Sequence, residues 1–210
     1  MPKWIPEPKW IGQDVYIIGG GTSLKGFDWN LLKGKRTIGC NAAFILGADI
    51  CNICIFGDTK FFNKYSRDLE SFKGIVATND PHLQKNDLPW LWTMPRSSVG
   101  LHVNSLGWNY NTGASAINLA LILGAKRIYL LGFDMKLSKD KKMNWHKKGC
   151  DKPDENICHR MNENFYHVFK DWKKKFDDRE IINVTDDSAL KVFPKVGVKE
   201  FWQERIKNNG

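Results

Sequence analysis

The residues best suited to chemistry in this chain follow an apolar run, Val15-Tyr16-Ile17-Ile18. They are Gly19, Gly20, Gly21, Thr22 and Ser23. Glycine lacks a Cβ and tolerates a positive φ, so the backbone N–H groups of such a loop can wrap a phosphate. The segment has neither the Gly-x-Gly-x-x-Gly spacing of a dinucleotide loop nor the Gly-Lys-Ser/Thr end of a Walker A loop. It therefore indicates either a nonstandard phosphate site or an ordinary strand-to-helix turn.

Polar residues also stand at the ends of other apolar runs. Asn41, Asp58 and Asp134 each follow such a run, and Thr112 and Gly113 open a predicted helix. In an open parallel sheet, ligands bind beyond the carboxyl ends of the strands, near the point where the strand order reverses. Each of these residues could instead be a helix N-cap or an Asx turn. Their recurrence at strand ends predicts a nucleotide site on one rim of the sheet.

His146 lies in a long, polar, lysine-rich segment that begins shortly after Asp134. A transferase that moves a group to a hydroxyl must remove a proton near neutral pH, and an unperturbed imidazole titrates at about 6.5. We expect the neighbouring lysines to lower the pKa of His146 further and to stabilise a leaving phosphate. His146 is thus the candidate general base, and Asp134 is the second candidate catalytic residue; a loop histidine without a role is the alternative.

The same loop also invites a zinc interpretation. His146, Cys150, Cys158 and His159 are possible ligands within a short stretch. Their spacing is not that of a standard finger, and ligation by the adjacent Cys158 and His159 would strain the geometry. No metal-binding residues are therefore predicted.

The elements that must position these residues alternate between strands and helices. Apolar runs predict strands at 15–19, 37–41, 50–57, 74–78, 127–131 and 181–184. Apolar spacing predicts a helix that starts at Ala114 and stops at Gly124, and a second helix over 157–176. This alternation is typical of α/β proteins and predicts a Rossmann-like open, mostly parallel sheet with helices on both faces, in a single domain.

No repeat or break in composition divides the chain. We expect a Pro-rich N-terminal arm over residues 1–12, followed by one nucleotide-binding transferase domain over 13–210. Residues 136–156 are long for a connection in such a fold, and loops of that length often act as lids. They are the candidate lid.

Composition and charge indicate the cellular location and the class of partner. The chain has 210 residues, no apolar run long enough to span a membrane, and three prolines and a glutamate in its first eight residues. That start does not resemble a signal peptide, and an odd number of cysteines fits a reducing compartment, so a cytoplasmic location is expected. The net charge of +9 favours anionic partners, including nucleotides, an anionic acceptor or nucleic acid.

Four strings in their order resemble the bacterial sialyltransferases of glycosyltransferase family 42. They are Ile-Ile-Gly-Gly-Gly-Thr-Ser-Leu-Lys-Gly-Phe-Asp from Ile17, Ile-Gly-Cys-Asn ending at Asn41, Asn-Thr-Gly ending at Gly113, and Ile-Tyr-Leu-Leu-Gly-Phe-Asp ending at Asp134. The likeness covers roughly 15–192 and extends to the pterin pyrophosphokinase-like proteins and to small phage-encoded proteins. The chain is therefore identified as a small phage or bacterial member of this superfamily.

The resemblance implies roles for individual residues. In the sialyltransferases, the glycine loop and the Asn of the Cys-Asn pair hold the cytidine nucleotide of the donor, which implies that role for 19–23 and Asn41. Thr112 and Gly113 occupy a further donor-contacting position. A histidine after the Gly-x-Asp strand is the general base there, and His146 is the histidine in the corresponding loop. A CMP-sugar or another nucleotide is thus the implied donor, with the acceptor unknown.

Three interpretations of function remain open. The first is a glycosyltransferase-like transferase that uses a nucleotide donor. The second is a nucleic-acid-binding or regulatory module with a vestigial nucleotide pocket, in which aromatic residues such as Trp90, Trp92 and Trp145, interleaved with basic residues, would stack on bases. The third, implied by the pterin relatives, is an ATP-dependent pyrophosphokinase, which would need Mg²⁺ held by acids such as Asp58 or Asp134.

Overall fold

The computed structural model describes residues 4, 6–85, 88–148 and 152–208; of residues 206–208 it describes the backbone alone. An eight-stranded sheet forms the centre of the molecule. Its strands are β1 Asp14–Ile18, β2 Arg36–Cys40, β3 Ile53–Phe56, β4 Ile75–Thr78, β5 Leu91–Thr93, β8 Arg127–Leu131, β9 Glu180–Val184 and β10 Lys195–Val196. They lie in the order β10-β9-β8-β1-β2-β3-β4-β5. A small separate pair consists of β6 Arg96–Ser97 and β7 Leu106–Gly107. Each pairing between described strands is parallel, which confirms the predicted sheet class.

Helices cover both faces of this sheet, as predicted. Side chains alternate along a strand, so Val15 and Ile17 enter one core cluster while Tyr16 and Ile18 enter the other. Helices α2 (Thr112–Ile122) and α3 (Glu155–Lys175) pack against the first cluster. Helices α1 (Thr59–Ser71) and α4 (Val198–Asn208) pack against the second. The two faces together enclose one α/β domain.

The predicted elements are all present, and all but the strand at 127–131 have shifted ends. Helix α2 begins two residues before Ala114 because the Asn111 side chain caps it, accepting the N–H groups of Gly113 at 2.8 Å and Ala114 at 3.3 Å. Gly124 lies just beyond its end at a φ of 92°, where glycine is favoured. Helices α1 and α4 and the short strands β5, β6, β7 and β10 are not among the predicted elements.

The strand order reverses beside β1. From β1 the chain builds towards β5 on one side, and β8 returns to pair with β1 on the other. Residues 19–23, called the glycine segment below, and the Gly132-Phe133-Asp134 turn therefore follow adjacent strands at this reversal. In open α/β sheets this is where ligands bind.

The N-terminal arm is tied to the body of the domain where the structure describes it. Trp4 N–H donates to the Thr93 carbonyl at 2.9 Å, and Trp10 N–H donates to the Leu123 carbonyl at 2.7 Å. Among the described residues, no helix combines the length and apolarity that crossing a bilayer requires.

Candidate active site

A cavity of about 480 Å³ opens at the carboxyl ends of β1, β2, β3 and β8. This volume is within the usual range for a small-molecule site. Nine of the residues predicted from the sequence line it: Gly19, Gly20, Gly21, Asn41, Asp58, Thr112, Gly113, Asp134 and His146. Thr22 and Ser23 are not among the described residues that line it. The fold therefore brings together most of the residues that the sequence scatters over more than half of its length.

The glycine segment is held tightly against the end of β8. The N–H of Gly19 donates to the Leu131 carbonyl and that of Gly21 to the Gly132 carbonyl, both at 2.8 Å. The φ of Gly21 is −58°, and the three glycines are not among the described residues with positive φ. Their lack of a Cβ matters for packing instead, because a Cβ on Gly19 would lie 2.6 Å from the Gly132 carbonyl oxygen.

Thr22 and Ser23 bind the Asp134 carboxylate. Ser23 donates its N–H to Asp134 Oδ2 at 2.8 Å and its hydroxyl to Oδ1 at 2.5 Å, and the Thr22 hydroxyl donates to Oδ2 at 3.3 Å. Asp134 is 5% exposed. The donors expected to meet a phosphate are thus engaged by a protein carboxylate, an arrangement suited to fixing the glycine segment in place.

Substitution of two neighbouring glycines tests how tightly the segment is packed. A Cβ on Gly21 would overlap the Asp134 carboxylate and lie 2.6 Å from the Gly132 carbonyl, whereas one on Gly20 would meet only side-chain ends, chiefly Asn144 Oδ1 at 2.5 Å. We expect Gly21→Ala to lower the free energy of unfolding by about 1–3 kcal/mol, and Gly20→Ala to lower it by much less. Urea unfolding of both variants measures this. Equal stability of the two variants would contradict the packing argument.

Asn41 and Thr112 both line the cavity and lie beside each other. Asn41 directly follows β2 with a φ of 51°, a left-handed conformation that asparagine tolerates better than most residues. Its Oδ1 accepts the Thr112 hydroxyl at 3.5 Å. Because Thr112 and Gly113 form the first turn of α2, the partial positive charge of the helix N-terminus is directed towards the same cavity.

Asp58 serves as the N-cap of α1, where its Oδ1 accepts the Phe61 N–H at 2.7 Å. Asp58 thus has the N-cap role that was the alternative to ligand binding, and its residue also lines the cavity.

His146 enters the cavity from the loop after β8. Its Nε2 lies 3.9 Å from the position that a Cβ on Gly20 would take, and its ring packs edge-on against Trp145. Burial lowers the pKa of His146 below the usual value of 6.5. The imidazole is then neutral at pH 7, the form that accepts a proton. The physical cause is desolvation, and the neighbouring lysines, expected to act on the pKa, are not the source.

Several lysines of this loop pair with acids of neighbouring elements. Lys136 binds Asp187, Lys148 binds Asp68, and Lys141 lies 3.4 Å from Glu155. Lys136 and Lys148 also line the cavity. These pairs connect the loop to α1, α3 and the segment after β9. Of the predicted lid, 149–151 lie outside the described residues, and the last two residues belong to α3, which Asp154 caps.

The zinc interpretation finds little support in this arrangement. Cys158 and His146 both line the cavity, but His159 is exposed and lies 3.6 Å from Glu163. Cys150 lies outside the described residues. Within the described ranges, no three His, Cys, Asp or Glu side chains are grouped to hold a metal ion.

The aromatic residues considered for base stacking pack against one another. Trp145 packs on Trp29 with ring centroids 5.0 Å apart, and Trp90 stacks on Phe62 at 6.2 Å. Trp92 lies edge-on to Trp4 at 5.5 Å and is 39% exposed. These contacts favour a structural role for most of the tryptophans.

Other residues that line the cavity were not predicted from the sequence. They include Lys60, Trp108, Tyr110, Met135, Asn144 and Met161. Tyr110 is 70% exposed at the rim and has a φ of 50°, an unusual conformation for an aromatic residue. The only available signal was position, since Lys60 follows the end of β3 and Tyr110 precedes α2.

No protein-family model and no curated protein matches the chain. Among solved structures, it is 15% identical to the sialyltransferase CstII from Campylobacter jejuni in complex with cytidine-5'-monophosphate, with a TM-score of 0.55 over 89% of this chain and 86% of that one. It is also 15% identical to the MAf glycosyltransferase from Magnetospirillum magneticum AMB-1, with a TM-score of 0.63 over 91% of this chain and 34% of that chain. The present chain thus spans about a third of the MAf protein. At this identity the likeness shows a shared fold, and it supports the sequence resemblance at that level.

Proposed function

We propose that the chain is a glycosyltransferase-like enzyme that moves a group from a CMP-type nucleotide donor to a hydroxyl acceptor. The observation that carries this proposal is the meeting of Gly20, Asn41, the α2 N-terminus and His146 in one cavity at the strand-order reversal. The fold shared with a sialyltransferase solved with cytidine-5'-monophosphate adds support for a cytidine nucleotide.

The donor would lie along the floor of this cavity. Gly19 and Gly21 donate their N–H groups within the protein, so among the three glycines we assign the close approach to the donor phosphate to Gly20. The partial positive charge at the N-terminus of α2 would favour the phosphate charge. Asn41 would bind the nucleotide by its amide, and Asp58 would line the same subsite.

The transfer itself needs one base. The acceptor oxygen forms a bond to the donor carbon, the bond from that carbon to the nucleotide phosphate breaks, and His146 takes the hydroxyl proton. The neutral imidazole produced by burial suits this step. The hydrogen bonds of Asp134 to the glycine segment support a positioning role for its carboxylate rather than proton transfer. The loop that carries His146 would act as the lid that closes over the donor.

The two other interpretations have weaker support. A pyrophosphokinase would use Asp58 or Asp134 to hold Mg²⁺, but both Asp134 oxygens accept hydrogen bonds and Asp58 caps a helix. A nucleic-acid module would use free aromatic faces, and the tryptophans considered for that role pack within the protein. The net charge of +9 still agrees with an anionic acceptor.

Thermal unfolding with a panel of nucleotides tests the function. A ligand that binds only the folded chain raises the melting temperature by mass action. We expect CMP to raise the melting temperature without Mg²⁺, and by more than UDP, ADP, ATP or GDP does. A response to ATP that depends on Mg²⁺ would favour the pyrophosphokinase interpretation, and no response to any nucleotide would count against the proposal.

Removal of the Asn41 side chain should weaken CMP binding at least several-fold, because loss of a hydrogen bond to a ligand costs about 1–3 kcal/mol. Asn41 has a left-handed backbone, so Asn41→Ala adds strain that Asn41→Gly avoids. Calorimetric titration with CMP should show the same loss of affinity in both variants, with a lower melting temperature for the alanine variant. Wild-type affinity in Asn41→Gly would make Asn41 a structural residue.

A further inference from the structure

Trp145 makes two hydrogen bonds to the glycine segment although it does not line the cavity. Its backbone N–H donates to the Gly20 carbonyl at 2.9 Å, and its indole Nε1–H donates to the Gly19 carbonyl at 3.0 Å. The ring lies 5.0 Å from that of Trp29. One residue thus joins the loop to the end of β1 through main chain, side chain and ring packing.

The neighbours of Trp145 are the residues of the loop that reach the cavity. Asn144 and His146 both line it, on either side of Trp145 in the sequence. The carbonyls of Gly19 and Gly20 belong to a segment that is itself fixed, because Asp134 binds Ser23 and Gly21 binds Gly132. The loop is therefore hydrogen-bonded to the same glycine segment that would contact the donor.

His146 has little else to orient its ring. Its Nδ1 is buried and has no hydrogen-bond partner in the part of the chain that the structure describes. Catalytic histidines are commonly oriented by a carboxylate or carbonyl on the second ring nitrogen. Among the described residues Nδ1 lacks that support, and the ring packs edge-on against Trp145, so its position depends on its backbone and on this packing.

We infer that Trp145 is the positioning residue of His146, acting by fastening the loop to the Gly19 and Gly20 carbonyls. Its importance for turnover rests on the proposed function, but the positioning itself does not. Loss of the indole should release the loop and expose the imidazole to water. The desolvation that lowers the pKa of His146 would then diminish, and the pKa would rise towards its usual 6.5.

The titration of His146 by NMR measures this directly and needs no substrate. The chain has five histidines, and a His146→Gln spectrum identifies the resonance. The other charged side chains that line the cavity are Asp58, Lys60, Asp134, Lys136 and Lys148, and none of them is changed by the variants. Trp145→Ala removes the indole and its packing, whereas Trp145→Phe keeps an aromatic ring and removes the bond to Gly19.

The control is Trp92→Phe, a partly exposed tryptophan that packs on Trp4 and lies on β5, the edge strand four places from β1 in the sheet. We expect the pKa of His146 to rise most in Trp145→Ala, less in Trp145→Phe and not at all in Trp92→Phe, while the other four histidines titrate as in the wild type. If Trp145→Ala does not fold, Trp145→Phe decides. An unchanged His146 pKa in each folded Trp145 variant would overturn the inference, whatever the chain is found to catalyse.

Discussion

Replacement of His146 by alanine is expected to slow release of CMP from a CMP-activated sugar by about 10²–10⁴-fold while CMP itself still binds. The reason is that the acceptor proton loses its base, whereas Gly20 and Asn41, the proposed nucleotide contacts, are unchanged. Steady-state kinetics and calorimetric titration with CMP give the two quantities separately. Full turnover in the folded variant would remove the general-base assignment.

The pH dependence supplies an independent check on the same residue. A base acts when deprotonated, and burial lowers the pKa of His146 below 6.5. The rate of the wild-type protein should therefore rise with pH through a value below 6.5 and level off above it. His159→Ala is the matched control, since His159 is exposed and lies beside Glu163. That variant should keep both the rate and the profile.

Removal of the Asp134 carboxylate is expected to produce the largest loss of stability, about 3 kcal/mol or roughly 6–12 °C in melting temperature. Asp134→Ala would remove a buried carboxylate and leave the Ser23 N–H and the Thr22 and Ser23 hydroxyls without their acceptor. The glycine segment should then shift and CMP affinity should fall as well. Thermal unfolding and CMP titration measure the two effects.

Asp154→Ala provides the comparison for Asp134. Its carboxylate caps α3 and accepts the Asn156 N–H at 2.8 Å, so its loss should cost about 1 kcal/mol. If Asp134→Ala is as stable as the wild type and fails only in turnover, Asp134 takes part in the chemistry itself. The positioning role proposed for it would then be wrong.

The sequence predicted the position of the cavity better than the contacts that hold it together. Apolar runs and the residues after them were enough to predict the parallel sheet and the edge at which the cavity opens, because parallel strands end at a common edge. The sequence left open whether the glycine segment meets a phosphate or makes an ordinary turn. In the structure Gly19 and Gly21 pack closely against the end of β8, and Asp134 accepts the Ser23 donors. Which donors a loop keeps for a ligand depends on contacts distant in sequence.

Helix α1 was not predicted although its signal is present in the sequence. Its apolar face of Phe61, Tyr65 and Leu69 recurs at helical spacing.

Contacts between residues distant in sequence leave no such signal. The bond from Trp145 to Gly19 joins residues 126 positions apart, and nothing in the local pattern predicts it. The lower pKa of His146 was expected from nearby lysines, but it comes from burial, which only the folded chain reveals.

Backbone amide shifts recorded by NMR during a titration with CMP test the central claim most directly. If the cavity is the nucleotide site, the largest changes will fall on Gly20, Asn41, Thr112, Gly113 and His146. A second hollow lies at the opposite edge of the sheet, beside Gly12, Gly34 and Arg36. Changes confined to that hollow, or no changes at millimolar CMP, would contradict the assignment of the carboxyl edge as a cytidine nucleotide site.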